Sequence, residues 1–96
     1  MIVTFGDRAT EDLFHGKETA RVRGFSRDVA RVALRKLDML NAAVELRDLE
    51  SPPGNRSKAL KGDMKGFHSV RVNDQWRLVF RWSGRDAYDV RLADYH

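Results

Sequence analysis

Apolar and polar positions alternate with a period of two from His68 to the end of the chain, the signature of half-buried strands. His68, Val70 and Val72 alternate with Ser69, Arg71 and Asn73. Trp76, Leu78, Phe80 and Trp82 alternate with Arg77, Val79 and Arg81. Tyr88, Val90 and Leu92 alternate with Asp89 and Arg91. Asn73-Asp74 and Ser83-Gly84-Arg85-Asp86 supply the turns between them. The pattern predicts three strands in an antiparallel meander. One face is apolar and packs on helices, while the other carries Arg71, Arg77 and Arg81.

Upstream the period is helical. Val29, Ala33, Leu37, Leu40 and Val44 fall on one side of a helix, with Arg31, Arg35 and Asp38 on the other. Ser26 is suited to cap it, which predicts a helix over about 27–43. Thr10 to Phe14 reads as a short helix with Glu11 and Asp12 in its first turn. Ile2 to Phe5 reads as a short first strand, ended by Gly6 and Asp7. The polar segment from His15 to Gly24 is loop or a poorly defined helical turn. Ser51-Pro52-Pro53-Gly54-Asn55 is a connector. The expected architecture is α+β, in the order β-α-α-β-β-β, with a short N-terminal strand and two helices packed on an antiparallel sheet.

Ninety-six residues with 42% hydrophobic content predict one domain, 1–96, with a modest core. The absence of Cys removes disulfides, thiol nucleophiles and Cys-based zinc sites, and suits a reducing cytoplasm. No apolar run approaches the roughly 18 residues of a membrane span, and Met1-Ile2-Val3-Thr4-Phe5 lacks the features of a signal peptide. A cytoplasmic protein without a membrane partner is expected.

The net charge of +4 is unevenly spread. In residues 1–55 nine Lys/Arg balance nine Asp/Glu, whereas residues 56–96 hold nine against five. The surplus therefore lies in the C-terminal part, which suits either a polyanion partner or a plain solvated surface. Directly after the last strand pattern stand Asp94-Tyr95-His96: an acid, a phenol and an imidazole in succession. Acid/base groups beside clustered cations suit RNA phosphodiester chemistry, in which a 2′-hydroxyl is deprotonated and a crowded phosphate is stabilised. The three histidines show no metal-ligand spacing, so a metal-independent reaction without cofactor is expected.

Leu60-Lys61-Gly62-Asp63, Gly66, the hairpin from Val70 to Phe80 containing Trp76-Arg77, and the terminal Asp94-Tyr95-His96 together resemble the RelE superfamily of toxins, in its HigB branch. The resemblance covers nearly the whole chain. It implies a type II toxin that acts as a ribosome-dependent mRNA endoribonuclease on mRNA in the ribosomal A site. It also implies neutralisation by a HigA-like helix-turn-helix antitoxin. On this reading His96 is the leading base or acid, because imidazole titrates near neutrality. Tyr95 orients, stacks or donates a hydrogen bond, and Asp94 orients His96 or Tyr95. Arg77 is the phosphate clamp, with Lys58, Lys61 and Arg71 as further RNA and phosphate contacts. Two alternatives stay open: a ParE-like toxin acting on DNA gyrase, and a non-catalytic RNA-binding module. Neither explains the terminal triplet.

Overall fold

The computed structural model describes residues 1–94; Tyr95 and His96 lie outside the described residues. Four strands, β1 (Lys58–Ala59), β2 (Phe67–Arg71), β3 (Trp76–Ser83) and β4 (Asp86–Asp94), form an antiparallel sheet in chain order. Three helices, α1 (Arg8–Phe14), α2 (Ala20–Arg23) and α3 (Arg27–Ala42), pack on it. The α+β class and the meander agree with the hydrophobic pattern. The strand β1 has no period-two signal, being only two residues long and exposed.

The Ser26 hydroxyl opens α3 by accepting the Val29 N–H at 3.2 Å. Val29, Ala33, Leu37 and Leu40 then bury one stripe against Val70, Leu78, Phe80, Val90 and Leu92 of the sheet. Each such large apolar side chain contributes about 1.5–3 kcal/mol when fully buried. Val44 does not join the stripe. The helix ends at Ala42, and Val44 is 49% exposed. The Asp48 carboxylate draws the chain aside there, accepting the Val44 and Glu45 N–H groups at 3.0 Å each.

The first helix begins earlier than its apolar pattern suggests, because Asp7 is its cap and accepts the Thr10 N–H at 2.8 Å. Thr10 is fully buried and its hydroxyl accepts the Leu92 N–H at 2.9 Å, tying α1 to β4. The open segment before Gly24 contains the single turn α2.

Ile2 to Phe5 does not form a continuous strand. Ile2 and Phe5 make isolated parallel bridges to Ala87 and Val90. The interruption lies in β4, where Asp89 has a left-handed φ of 54° and its N–H donates to the Thr4 hydroxyl at 2.8 Å. This bulge also resets the side-chain phase. Val79 faces Arg91, but Arg81 faces Tyr88. Ala87, Val90 and Leu92 are therefore buried, while Tyr88 lies on the opposite face beside Arg81. Simple alternation, which groups Tyr88 with Val90 and Leu92, fails at that residue.

Candidate active site

Strand pairing brings most of the sequence-predicted cations together on the face of the sheet away from the helices. Lys58 of β1 is opposite Ser69 of β2, and Arg71 of β2 is directly opposite Arg77 of β3. Cross-strand partners point to the same side, so Lys58, Ser69, Arg71 and Arg77 share this face. Like charges directly opposite one another weaken a sheet. The Arg71–Arg77 pair thus concentrates positive charge where folding alone would favour its dispersal. Arg71 forms an ion pair with the fully exposed Asp74.

Arg77 is 8% exposed and held by its own chain. Its Nε donates to the Ser69 hydroxyl at 2.8 Å, and Nη2 donates to the Arg56 carbonyl at 2.6 Å. Arg56 has a left-handed φ of 44° at the end of the 3-10 turn Pro53–Asn55. The guanidinium plane is therefore set by a fully buried serine on one side and a loop carbonyl on another. A phosphate binding there meets a donor that needs no ordering.

Lys61 is not part of this cluster. It precedes the 3-10 turn Gly62–Met64, beyond the Phe67 end of β2, whereas Arg71 ends the same strand. Four residue steps along the strand separate these ends, or about 13 Å. Arg81 is engaged elsewhere, stacked 4.4 Å over the Phe67 ring and paired with Asp89 at 3.3 Å.

Asp94 is the register partner of Trp76, so its side chain points to the helix side. Its Oδ2 accepts from Gln75 Nε2 at 3.1 Å. It nevertheless lies at the Arg77 end of the sheet, because the preceding Ala93 is opposite Arg77. The roles expected of Tyr95 and His96 fall outside the described residues.

The tryptophans pack as core residues. Trp76 meets Phe25 edge-on at 5.5 Å, and Trp82 meets Phe80 and donates from Nε1 to the Gly84 carbonyl at 3.0 Å. His68 is half-buried against Phe80, and His15 is exposed beside Phe5 and Phe14. Among the described residues, no group of three or more His, Cys, Asp or Glu is gathered in metal-binding fashion. No helix there is long and apolar enough to cross a membrane.

Three residues near this cluster escape a sequence reading: Ser69, Arg56 and Lys36. Lys36 is buried on α3, and its ammonium donates to the Asn55 side-chain oxygen. Burial lowers its pKa, and the charges of Arg35 and Arg71 lower it further. A signal for it exists: Lys36 stands seven residues after Val29 and three after Ala33, within the apolar stripe. Ser69 and Arg56 carry no comparable signal, because their parts in holding Arg77 come from strand pairing and a loop turn.

Residues 4–96 match the family described as RelE-like toxin of type II toxin-antitoxin system HigB. Toxin HigB-1 of Vibrio cholerae serotype O1 is 39% identical over 92 residues, which span 96% of this chain and 95% of that protein. Endoribonuclease HigB of Proteus vulgaris is 32% identical over 96 residues, covering 100% of both chains. In structure, a chain of the YoeB-YefM complex from Staphylococcus aureus is similar with a TM-score of 0.63, covering 100% of this chain and 95% of that one. Identity there is 19%, so the likeness is one of fold.

Proposed function

Because the chain belongs to the RelE-like HigB toxins of type II toxin–antitoxin systems, we propose that it is a ribosome-dependent mRNA endoribonuclease. The name endoribonuclease carried by its Proteus vulgaris relative supports the activity. The observation that carries the reading is the directly opposed Arg71–Arg77 pair, with Arg77 held by Ser69 and Arg56, at the sheet end where Asp94 precedes Tyr95 and His96.

In the proposed reaction the 2′-hydroxyl oxygen attacks the adjacent phosphorus and the bond from phosphorus to the 5′-oxygen breaks. His96 takes the 2′ proton, and a water molecule gives a proton to the departing 5′-oxygen. The upstream fragment keeps a 2′,3′-cyclic phosphate. Arg77 neutralises the charge that builds on the non-bridging oxygens. Tyr95 and Asp94 orient the imidazole and the base, while Lys58, Lys61 and Arg71 hold the RNA backbone. The base is a side chain, and no divalent ion takes part beyond the ribosome's own need.

A chain of 96 residues offers little surface to align mRNA, so the ribosomal A site supplies positioning, worth several kcal/mol of a barrier. The protein acts in the cytoplasm, and its antitoxin is HigA-like with a helix-turn-helix. The test compares programmed ribosomes with free mRNA. Cleavage confined to ribosome-bound mRNA, with cyclic phosphate ends, is expected. Rapid, sequence-tolerant cutting of naked mRNA would overturn ribosome dependence, and gyrase-dependent DNA breaks without RNA cleavage would overturn the nuclease reading.

A further inference from the structure

We propose that Lys36 and Arg35 form a second phosphate subsite, beside the Arg71–Arg77 cluster, that holds an RNA backbone phosphate. The proposal rests on the reading of the neighbouring sheet face as RNA-binding. An open cleft of about 380 Å³ is lined by Arg35, Lys36, Met39 and Pro52. It thus contains two cations and no carboxylate. Lys36 is 8% exposed, and its partner among the described residues is the neutral Asn55 side chain. No carboxylate pairs with Lys36 or Arg35 among the described residues. A poorly solvated ammonium without a counter-charge is unfavourable, and an arriving anion relieves it. Ammonium has three donors, and Asn55 engages one.

Among the described residues, the two charges that shift Lys36 are positive. Arg35 comes from α3 and Arg71 from β2. A contact path also joins the cleft to the cation cluster. Lys36 bonds Asn55, Arg56 follows it, the Arg56 carbonyl accepts from Arg77, and Arg77 faces Arg71. The continuity with Arg71 favours a strand of RNA passing from the sheet face to α3 over a separate small anion.

The test uses the full chain with isotope-labelled lysines, observing the Lys36 Cε and Nζ resonances at constant ionic strength. The probes are a 2′-O-methyl oligoribonucleotide, which has no free 2′-hydroxyl, then inorganic phosphate, then polyglutamate. Lys36 is expected to respond saturably to the oligonucleotide at lower concentration than to either other probe. Arg35→Gln, an exposed change that leaves the core intact, should lower the slope of log affinity against log salt by about 0.7. Lys36→Met should do the same where it folds. A silent Lys36, or an unchanged slope in Arg35→Gln, overturns the subsite. A response to inorganic phosphate as strong as to RNA, or a stronger one to polyglutamate, overturns the RNA assignment. A response to the uncuttable RNA supports the subsite whether or not ribosome-bound mRNA is cleaved, so the two readings fail separately.

Discussion

Arg77 and Ser69, on neighbouring strands, are joined by a hydrogen bond from Nε to the serine hydroxyl at 2.8 Å. It fixes a charged donor from a fully buried position, and the Arg56 carbonyl completes the clamp. Ser69 thus positions the Arg77 guanidinium.

Ser69→Ala should lower single-turnover cleavage of ribosome-bound mRNA by about 10- to 100-fold, the scale of losing a hydrogen bond of about 1.5–3 kcal/mol to a charged group. Arg77→Ala should lower it more than Arg77→Lys, which keeps charge but loses the planar fork. Equal rates for Arg77→Ala and the parent chain would remove this residue from the site.

His96→Ala and Tyr95→Phe should each reduce cleavage while urea unfolding midpoints stay unchanged. Loss of an acid/base group typically lowers rates by about 10²- to 10⁴-fold. Full growth arrest by a stably folded His96→Ala protein would defeat its assignment.

The separation of Lys61 from Arg71 predicts different phenotypes. Lys61→Ala should weaken ribosome binding with a salt slope lower by about 0.7, yet leave the cleavage rate of bound mRNA intact. Arg71→Ala, directly opposite Arg77, should lower both. Identical losses in the bound-state rate would contradict this division.

The bulge at Asp89 requires a left-handed backbone at φ 54°. Asp89→Val should destabilise the fold by about 1–2 kcal/mol relative to Asp89→Gly, because a branched side chain resists that conformation. Urea melts of the two variants read the difference directly, and equal midpoints would rule out the strain.

Asp48 carries an acid-sensitive part of the stability. The Glu45 and Val44 N–H groups hold its carboxyl below the ordinary value of 3.8, with desolvation opposing the shift and a lesser effect of the Arg47 charge adding to it. The unfolded chain therefore binds its proton first as pH falls. The contribution is present above 3.8 and disappears as pH drops through the lower folded value. Asp48→Asn should flatten the stability profile in that acid window, as measured by urea unfolding against pH; an unchanged profile would refute the linkage.

Much of this protein is written in short-range pattern. The stripe from Val29 to Leu40, the Ser26 cap, and the alternation through β2 and β3 follow from local geometry, because a helix repeats every 3.6 residues and a strand every two. The grouping of Arg71 and Arg77 on one face follows from the same parity. What local pattern does not contain is pairing across long sequence distance. The parallel bridges of Ile2 and Phe5 to β4 depend on a bulge more than eighty residues away. That bulge turns Tyr88 to the opposite face, and the short β1 acquires its place only by pairing with β2. Parity from Trp76 likewise turns Asp94 toward the helix side, although the sequence sets it beside Tyr95 and His96. Ser69 and the Arg56 carbonyl become partners of Arg77 only when strand and loop close together, and Lys36 loses solvent only when the connector folds over α3. Residue type and period thus determined which side chains are available and on which face. Tertiary burial decided which cations are held rigid and which remain in water, because desolvation and directional hydrogen bonds depend on neighbours that the chain brings from afar.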